Sequence, residues 1–105
     1  MTERRRLANR RLALTFELEV GGLTYICTAG TFPDGSLAEL FLSNHKSNSA
    51  ADTNARDAAI TFSIAVQHGA DPEVIRRALS RDGHGRATGP LGAALDLIAA
   101  EGRGQ

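Results

Sequence analysis

The sequence predicts an α+β domain: a three-stranded antiparallel meander followed by three helices packed on one face of the sheet. Three observations carry that expectation. Apolar residues alternate with polar ones early in the chain and recur at 3–4 spacing later. Turn signals separate the alternating runs, at Gly21-Gly22 and at Pro33-Asp34-Gly35. Strand signals all precede helix signals, an order that favours α+β over an alternating α/β arrangement.

The first strand is ALTFELEV. Leu14, Phe16, Leu18 and Val20 point to one side, and Thr15, Glu17 and Glu19 to the other. Gly21-Gly22 is a two-residue hairpin signal, and LTYICTAGTF returns as the second strand. Such a turn pairs Val20 with Leu23, Leu18 with Tyr25, Phe16 with Cys27 and Leu14 with Ala29, which matches the apolar faces. After the turn at Phe32-Pro33-Asp34-Gly35-Ser36, LAELFLS forms a third strand that alternates less cleanly. A three-residue turn sets Cys27 opposite Phe41 and Ala29 opposite Glu39. Glu39, a structural polar residue, then shares a face with the core. It lies at the sheet end, or takes an arginine partner, or the register is shifted by one.

Residues 44–54, NHKSNSAADTN, form a polar loop that runs into a helix capped by Ser49 or Asp52. Its apolar face is Ala55, Ala58, Ala59, Phe62, Ala65, Val66 and Gly69, with Gly69 as the stop. Asp71-Pro72-Glu73 opens a second helix with an N-cap, a first-turn proline and an acid. Val74, Ile75, Ala78 and Leu79 are its apolar face, and Arg76, Arg77 and Arg81 suit its C-terminal end. The run RDGHGRATGPLG, residues 81–92, is expected to be a flexible connector with Gly83 as C-cap. Pro90 opens a third helix that buries Leu91, Ala94, Leu95 and Ile98. The domain is expected over residues 13–101, between a basic flexible tail over 1–12 and a frayed C-terminus over 102–105.

Composition narrows the function classes. The 105 residues make one domain, and the formal net charge of zero argues against a surface built as a whole for nucleic acid or anionic lipid. Arg4, Arg5, Arg6, Arg10 and Arg11 nevertheless crowd the N-terminus and are the candidates for phosphate-backbone contact. A single cysteine, Cys27, makes no intrachain disulfide and no Cys-rich zinc site, and it suits a reducing compartment. No apolar run approaches the roughly 20 residues of a bilayer span, and the N-terminus has no signal-peptide core. The expectation is a cytoplasmic protein without membrane contact. Arginine is used in place of lysine almost throughout, with many Ala and Gly, which hints at a GC-rich bacterial genome.

Two segments are candidates for binding. Gly83, Gly85 and Gly89 miss the dinucleotide fingerprint by one residue and follow a helix where that fingerprint needs a strand. Arg86 and His84 are still placed to meet an anion at the start of the third helix. The other segment precedes the long helix, where Lys46, Ser47 and Ser49 can hold an anion or nucleotide at a positive helix end. His45, His68 and His84 lack ligand spacing, so no metal is expected. Cys27 sits mid-strand on the apolar face and reads as inert. Asp57 and Asp96 read as solvated helix positions. No acid, base or nucleophile constellation emerges, so no catalytic residue is assigned.

The stretch FPDGSLAELFLSNHKSNSAADTNARDAAITFSIAVQHGADPEVIRRAL, followed by GRATGPLG, resembles the TSCPD domain. That domain closes adenosylcobalamin-dependent (class II) ribonucleotide reductases and also occurs in small stand-alone proteins. Gly35, Glu39 and Phe41 match its strand motif, Lys46 and Ser49 fall in its loop, and Gly69, Ile75 and Leu79 match its second helix. The resemblance covers roughly residues 14–98. It departs at Arg86-Ala87-Thr88-Gly89-Pro90, where the family carries a Cys-Pro pair and this chain has no cysteine. The resemblance implies a link to deoxyribonucleotide synthesis. With no reductase barrel in 105 residues, it implies an accessory or regulatory binding module, inactive alone, binding no cofactor itself and connected with adenosylcobalamin only through the family. Its expected partners are another protein, a second copy of itself, or a nucleotide or phosphate ligand. The alternatives are a nucleic-acid-binding protein using the arginine cluster and a structural homo-oligomer joined through Ile26, Leu40 and Leu42 on the outer sheet face.

Overall fold

The structure is a computed structural model that describes residues 13–46 and 49–103. The N-terminal arginine cluster and Ser47 lie outside the described residues. The element order is β1 (Ala13–Val20), β2 (Leu23–Thr31), β3 (Leu37–Asn44), α1 (Ala50–Gln67), α2 (Pro72–Ala78) and α3 (Pro90–Arg103). The strands form one antiparallel sheet in the order β1-β2-β3. This is the predicted α+β architecture: α1 packs along β3, α3 packs on β1, and α2 touches α3. The last helix runs to Arg103, past the expected boundary.

The β1–β2 hairpin has the register read from the sequence, from Val20↔Leu23 to Leu14↔Ala29. Gly21 and Gly22 both take positive φ, 59° and 78°, as a two-residue turn matched to strand twist requires. The β2–β3 register differs from the expected one by a residue. Cys27 faces Leu42, Ala29 faces Leu40, and Gly30 faces Glu39. A β-bulge at Gly30/Thr31 absorbs the extra residue that the turn alone does not count. From Glu39 onward the slip moves the β3 side chains to the other face. Leu40 and Leu42 therefore lie in the core, at 0% and 2% exposure, and Phe41 faces outward at 53%. Leu40 and Leu42 are thus not part of the outer face, where Ile26 and Phe41 stand instead. Glu39 lies on the same sheet face as Phe41 but is buried, at 7% exposure, with its side chain over Gly30, where a Cβ would meet Glu39 Oε2 at 2.9 Å.

The core joins Leu18, Tyr25, Cys27, Leu40 and Leu42 of the sheet to Ala55, Ala59, Phe62 and Val66 of α1 and to Leu91, Ala94 and Leu95 of α3. Alanines on α1 let the helix approach closely. Burial pushes the Cys27 thiol up to about 12, because a thiolate there would lose its hydration. Cys27 is therefore expected to resist a thiol-reactive dye in the folded protein and to react fully once urea unfolds it. Rapid labelling under native conditions would contradict this packing.

β3 is an edge strand, and α1 covers its edge with polar side chains that the 3–4 apolar pattern did not reveal. The Ser63 hydroxyl accepts from Leu40 N–H at 2.8 Å and lies 3.1 Å from the Leu40 carbonyl. Gln67 Nε2 donates to the Ala38 carbonyl at 3.1 Å, and Asp52 Oδ1 accepts from Asn44 N–H at 2.9 Å. All three side chains belong to buried residues. They supply the hydrogen bonds that a fourth strand would give, which removes a site for edge-to-edge association.

α2 is less buried than its pattern implies. Val74 is 64% exposed and Ala78 is exposed, so only Ile75 and Leu79 pack toward the core.

Candidate functional site

The run from Arg81 to Gly92 is ordered by its own hydrogen bonds, which corrects the expectation of a flexible connector capped by Gly83. Arg81 and Ala87 form an isolated antiparallel bridge. Asp82 N–H donates to the Arg86 carbonyl at 2.8 Å, and Asp82 Oδ1 accepts from the N–H groups of His84 and Arg86. Those backbone donors hold the Asp82 carboxyl below its ordinary range. Leu79, not Gly83, caps α2. Thr88 N–H then reaches back to the Ser80 carbonyl at 3.1 Å, which sets Gly89 and Pro90 beside the end of α2.

A charge network clamps this turn to α3. Asp96 accepts two bonds from Arg81, at 2.8 and 2.9 Å, and one from Arg76 at 2.9 Å. Arg76 also pairs with Glu73, and Arg81 donates onward to the Gly85 carbonyl. Asp96 is thus a tie between α2, the turn and α3, not the solvated helix position expected from sequence. The signal was present in the arginines at 76 and 81, but their partner lies fifteen or more residues away. Hydrogen bonds from Arg81 and Arg76 hold the Asp96 carboxyl at about 2, and those from Arg76 and Arg77 hold Glu73 at about 2. Both lie below the ordinary values of 3.8 and 4.5. A carboxylate depressed in the fold stabilises it above its unfolded value and ceases to do so as pH falls. Stability is expected to drop between pH 4.5 and about 2. Asp96→Asn should lower the thermal midpoint at pH 7, and the difference should shrink at pH 2. An equal difference at both pH values would contradict the clamp.

Beside this turn lies a groove of ≈ 400 Å³, lined by Tyr25, by Ala51, Asn54, Ala55 and Ala58 of α1, by Leu79 and Ser80, and by Thr88 to Gly92. None of these residues carries a charge. The sequence signals that mattered were the small residues on α1, which read only as packing, and Gly89-Pro90 with Gly92, which read only as a connector and a helix start.

The predicted anion-binding residues have separate placements. Ser49 is the N-cap of α1: its hydroxyl accepts from Asp52 N–H at 3.1 Å and donates to the Lys46 carbonyl at 2.7 Å. Lys46 is exposed, and its N–H donates to Asn44 Oδ1. Arg86 is exposed, 3.6 Å from Asp82. Neither cation lines the groove, although Lys46 precedes its Ala51 wall and Arg86 precedes Thr88. Among the described residues no three His, Cys, Asp or Glu side chains gather as a metal site, and no helix is long and apolar enough to cross a membrane.

Over 67 residues the chain is 36% identical to a vitamin B12-dependent ribonucleotide reductase of Agrobacterium fabrum, a stretch that is 64% of this chain and 5% of that protein. Over 69 residues it is 33% identical to one from Bradyrhizobium diazoefficiens, 66% of this chain and 6% of the reductase. Part of this chain is therefore similar to a short stretch of these reductases. No family model matches the chain, and no solved structure matches it.

The groove does not fit the cofactor of those relatives. Its volume is near the low end of the ~300–1,000 Å³ that drug-sized ligands fill, and a corrin with its nucleotide and adenosyl arms is larger. Its lining also has no imidazole to meet cobalt.

Proposed function

We propose that the protein is a TSCPD-like accessory module of ribonucleotide reduction that binds and does not catalyse. The observation that supports this most is the partial similarity to vitamin B12-dependent ribonucleotide reductases, which covers two-thirds of this chain but a twentieth of theirs. So short a stretch of a reductase has no room for a radical site, a substrate pocket and a cobalamin site together. The fold fits a binding role: a rigid sheet-and-helix frame, a capped sheet edge and a groove beside an ordered turn. Lys46 and Ser49 at the start of α1, and Arg86 in the turn, would serve a phosphate-bearing ligand or an acidic partner surface.

The test is to add the purified full chain to a vitamin B12-dependent ribonucleotide reductase from the same organism. Binding between the two, and a change in reduction rate that saturates with added chain, would support the reading. No association and no change in rate at micromolar concentrations would remove the link to reduction. Deoxyribonucleotide formation by the chain alone would contradict the non-catalytic part.

A further inference from the structure

We infer that the groove between α1 and the start of α3 is a binding site for a small ligand that carries an oxyanion on a flat, mostly apolar body. Two independent observations converge there. The first is Tyr25. It is 5% exposed, it lines the groove, and its hydroxyl has no hydrogen-bond partner among the described residues. The hydroxyl is not sealed from solvent, since among the described residues no side-chain polar atom is both fully buried and unpaired. A buried tyrosine that lines a groove and has an unpartnered hydroxyl is a donor for a ligand there.

The second observation is the start of α3. Ser49 caps α1 and Asp71 caps α2, each with an acid in the first turn, but α3 has no acid there. Its cap position is Gly89, whose carbonyl accepts from Ala93 N–H, and a glycine offers no side chain to the free amides. Leu91 and Gly92 both line the groove, and their N–H groups have no acceptor among the described residues. Those two amides and the Tyr25 hydroxyl are donors with no carboxylate among the lining residues to compete for them. The helix dipole adds positive potential at the same place. Gly92 must stay small, because a Cβ there would meet the Ala87 Cβ at 3.0 Å.

The body of the ligand follows from the walls. Ala51, Ala55 and Ala58 recur at helical spacing and make a smooth face, with Leu79 and Leu91 in the same lining. Flat apolar surface fits such a face better than a branched or charged group does. A nucleoside monophosphate has this chemistry, and so does an aryl phosphate or aryl carboxylate. Only the choice of a nucleoside phosphate rests on the proposed role in ribonucleotide reduction.

The test is calorimetric titration of the full chain with AMP, phenyl phosphate, benzoate and inorganic phosphate. AMP and phenyl phosphate should bind, and inorganic phosphate should bind at least tenfold more weakly because it leaves the apolar walls bare. Tyr25→Phe should weaken binding about tenfold with an unchanged thermal midpoint, since the hydroxyl supports nothing in the fold. Gly89→Asp should abolish binding while the midpoint holds or rises. A Cβ at Gly89 meets nothing within 4 Å, and an aspartate there is expected to cap α3 and put a negative charge where the ligand's would lie. Benzoate binding with the same response to both variants would support the oxyanion site with a carboxylate ligand. No binding of any probe, or binding that neither variant alters, would overturn the inference. An effect of the chain on a reductase with no probe bound would overturn this site and leave the accessory role standing. Probe binding with no effect on a reductase would do the reverse.

Discussion

Leu40→Ala is expected to lower the unfolding free energy by about 2–5 kcal/mol, whereas Phe41→Ala is expected to change it by about 0.5 kcal/mol or less. Leu40 is fully buried, so truncation removes apolar contacts and leaves a cavity that the sheet cannot close. Phe41 is 53% exposed on the opposite face. Urea denaturation of the two variants reads the difference directly, provided the slope of free energy against denaturant stays constant. Had Cys27 faced Phe41, as the turn alone implies, the two effects would be exchanged. The pair of variants therefore measures the β2–β3 register. Leu40→Lys would consequently report on folding of the single chain and says nothing about association through the outer face.

Asp52→Ala is the second large effect, at about 2–4 kcal/mol. Asp52 is 3% exposed, and its partners among the described residues include the Asn44 N–H at 2.9 Å and Arg56 Nε at 2.9 Å. Removing it strands a backbone donor at the covered edge of β3, and that unmet donor is the larger part of the cost. The Arg56 side chain is 55% exposed and is rehydrated cheaply. Asp52→Asn keeps an acceptor for Asn44 N–H and should cost less than Asp52→Ala. Equal losses in the two variants would show that the charge, and not the edge hydrogen bond, is what Asp52 supplies. Thermal and urea unfolding with both variants separates these cases.

The two strands joined by Gly21-Gly22 were fully legible, because a two-residue turn leaves one register and the alternation on both sides confirms it. The third strand was legible as a strand and not in its register. The bulge at Gly30/Thr31 adds a residue that no local turn signal announces, and Glu39 at an apparent core position was its trace. Helix starts were legible at Asp71 and Pro90, and at Ser49 as one of two candidate caps with Asp52, since caps and first-turn prolines act locally. What escaped the sequence was every feature made by tertiary contact. Ser63 and Gln67 lie outside the 3–4 apolar pattern of α1, yet they bond the edge of β3. Asp96 looked solvated, yet it binds two arginines. Tyr25 looked like core, and it is, apart from a hydroxyl whose want of a partner depends on helices that arrive from elsewhere in the chain.

Amide chemical shifts during a titration with AMP test the binding site most directly. Saturable movement of the Leu91 and Gly92 signals, lost in Tyr25→Phe at the same ligand concentration, is the expected result. Movement confined to Lys46 and Ser49, with Leu91 and Gly92 unmoved, would place the ligand at the start of α1 and contradict a site at the start of α3.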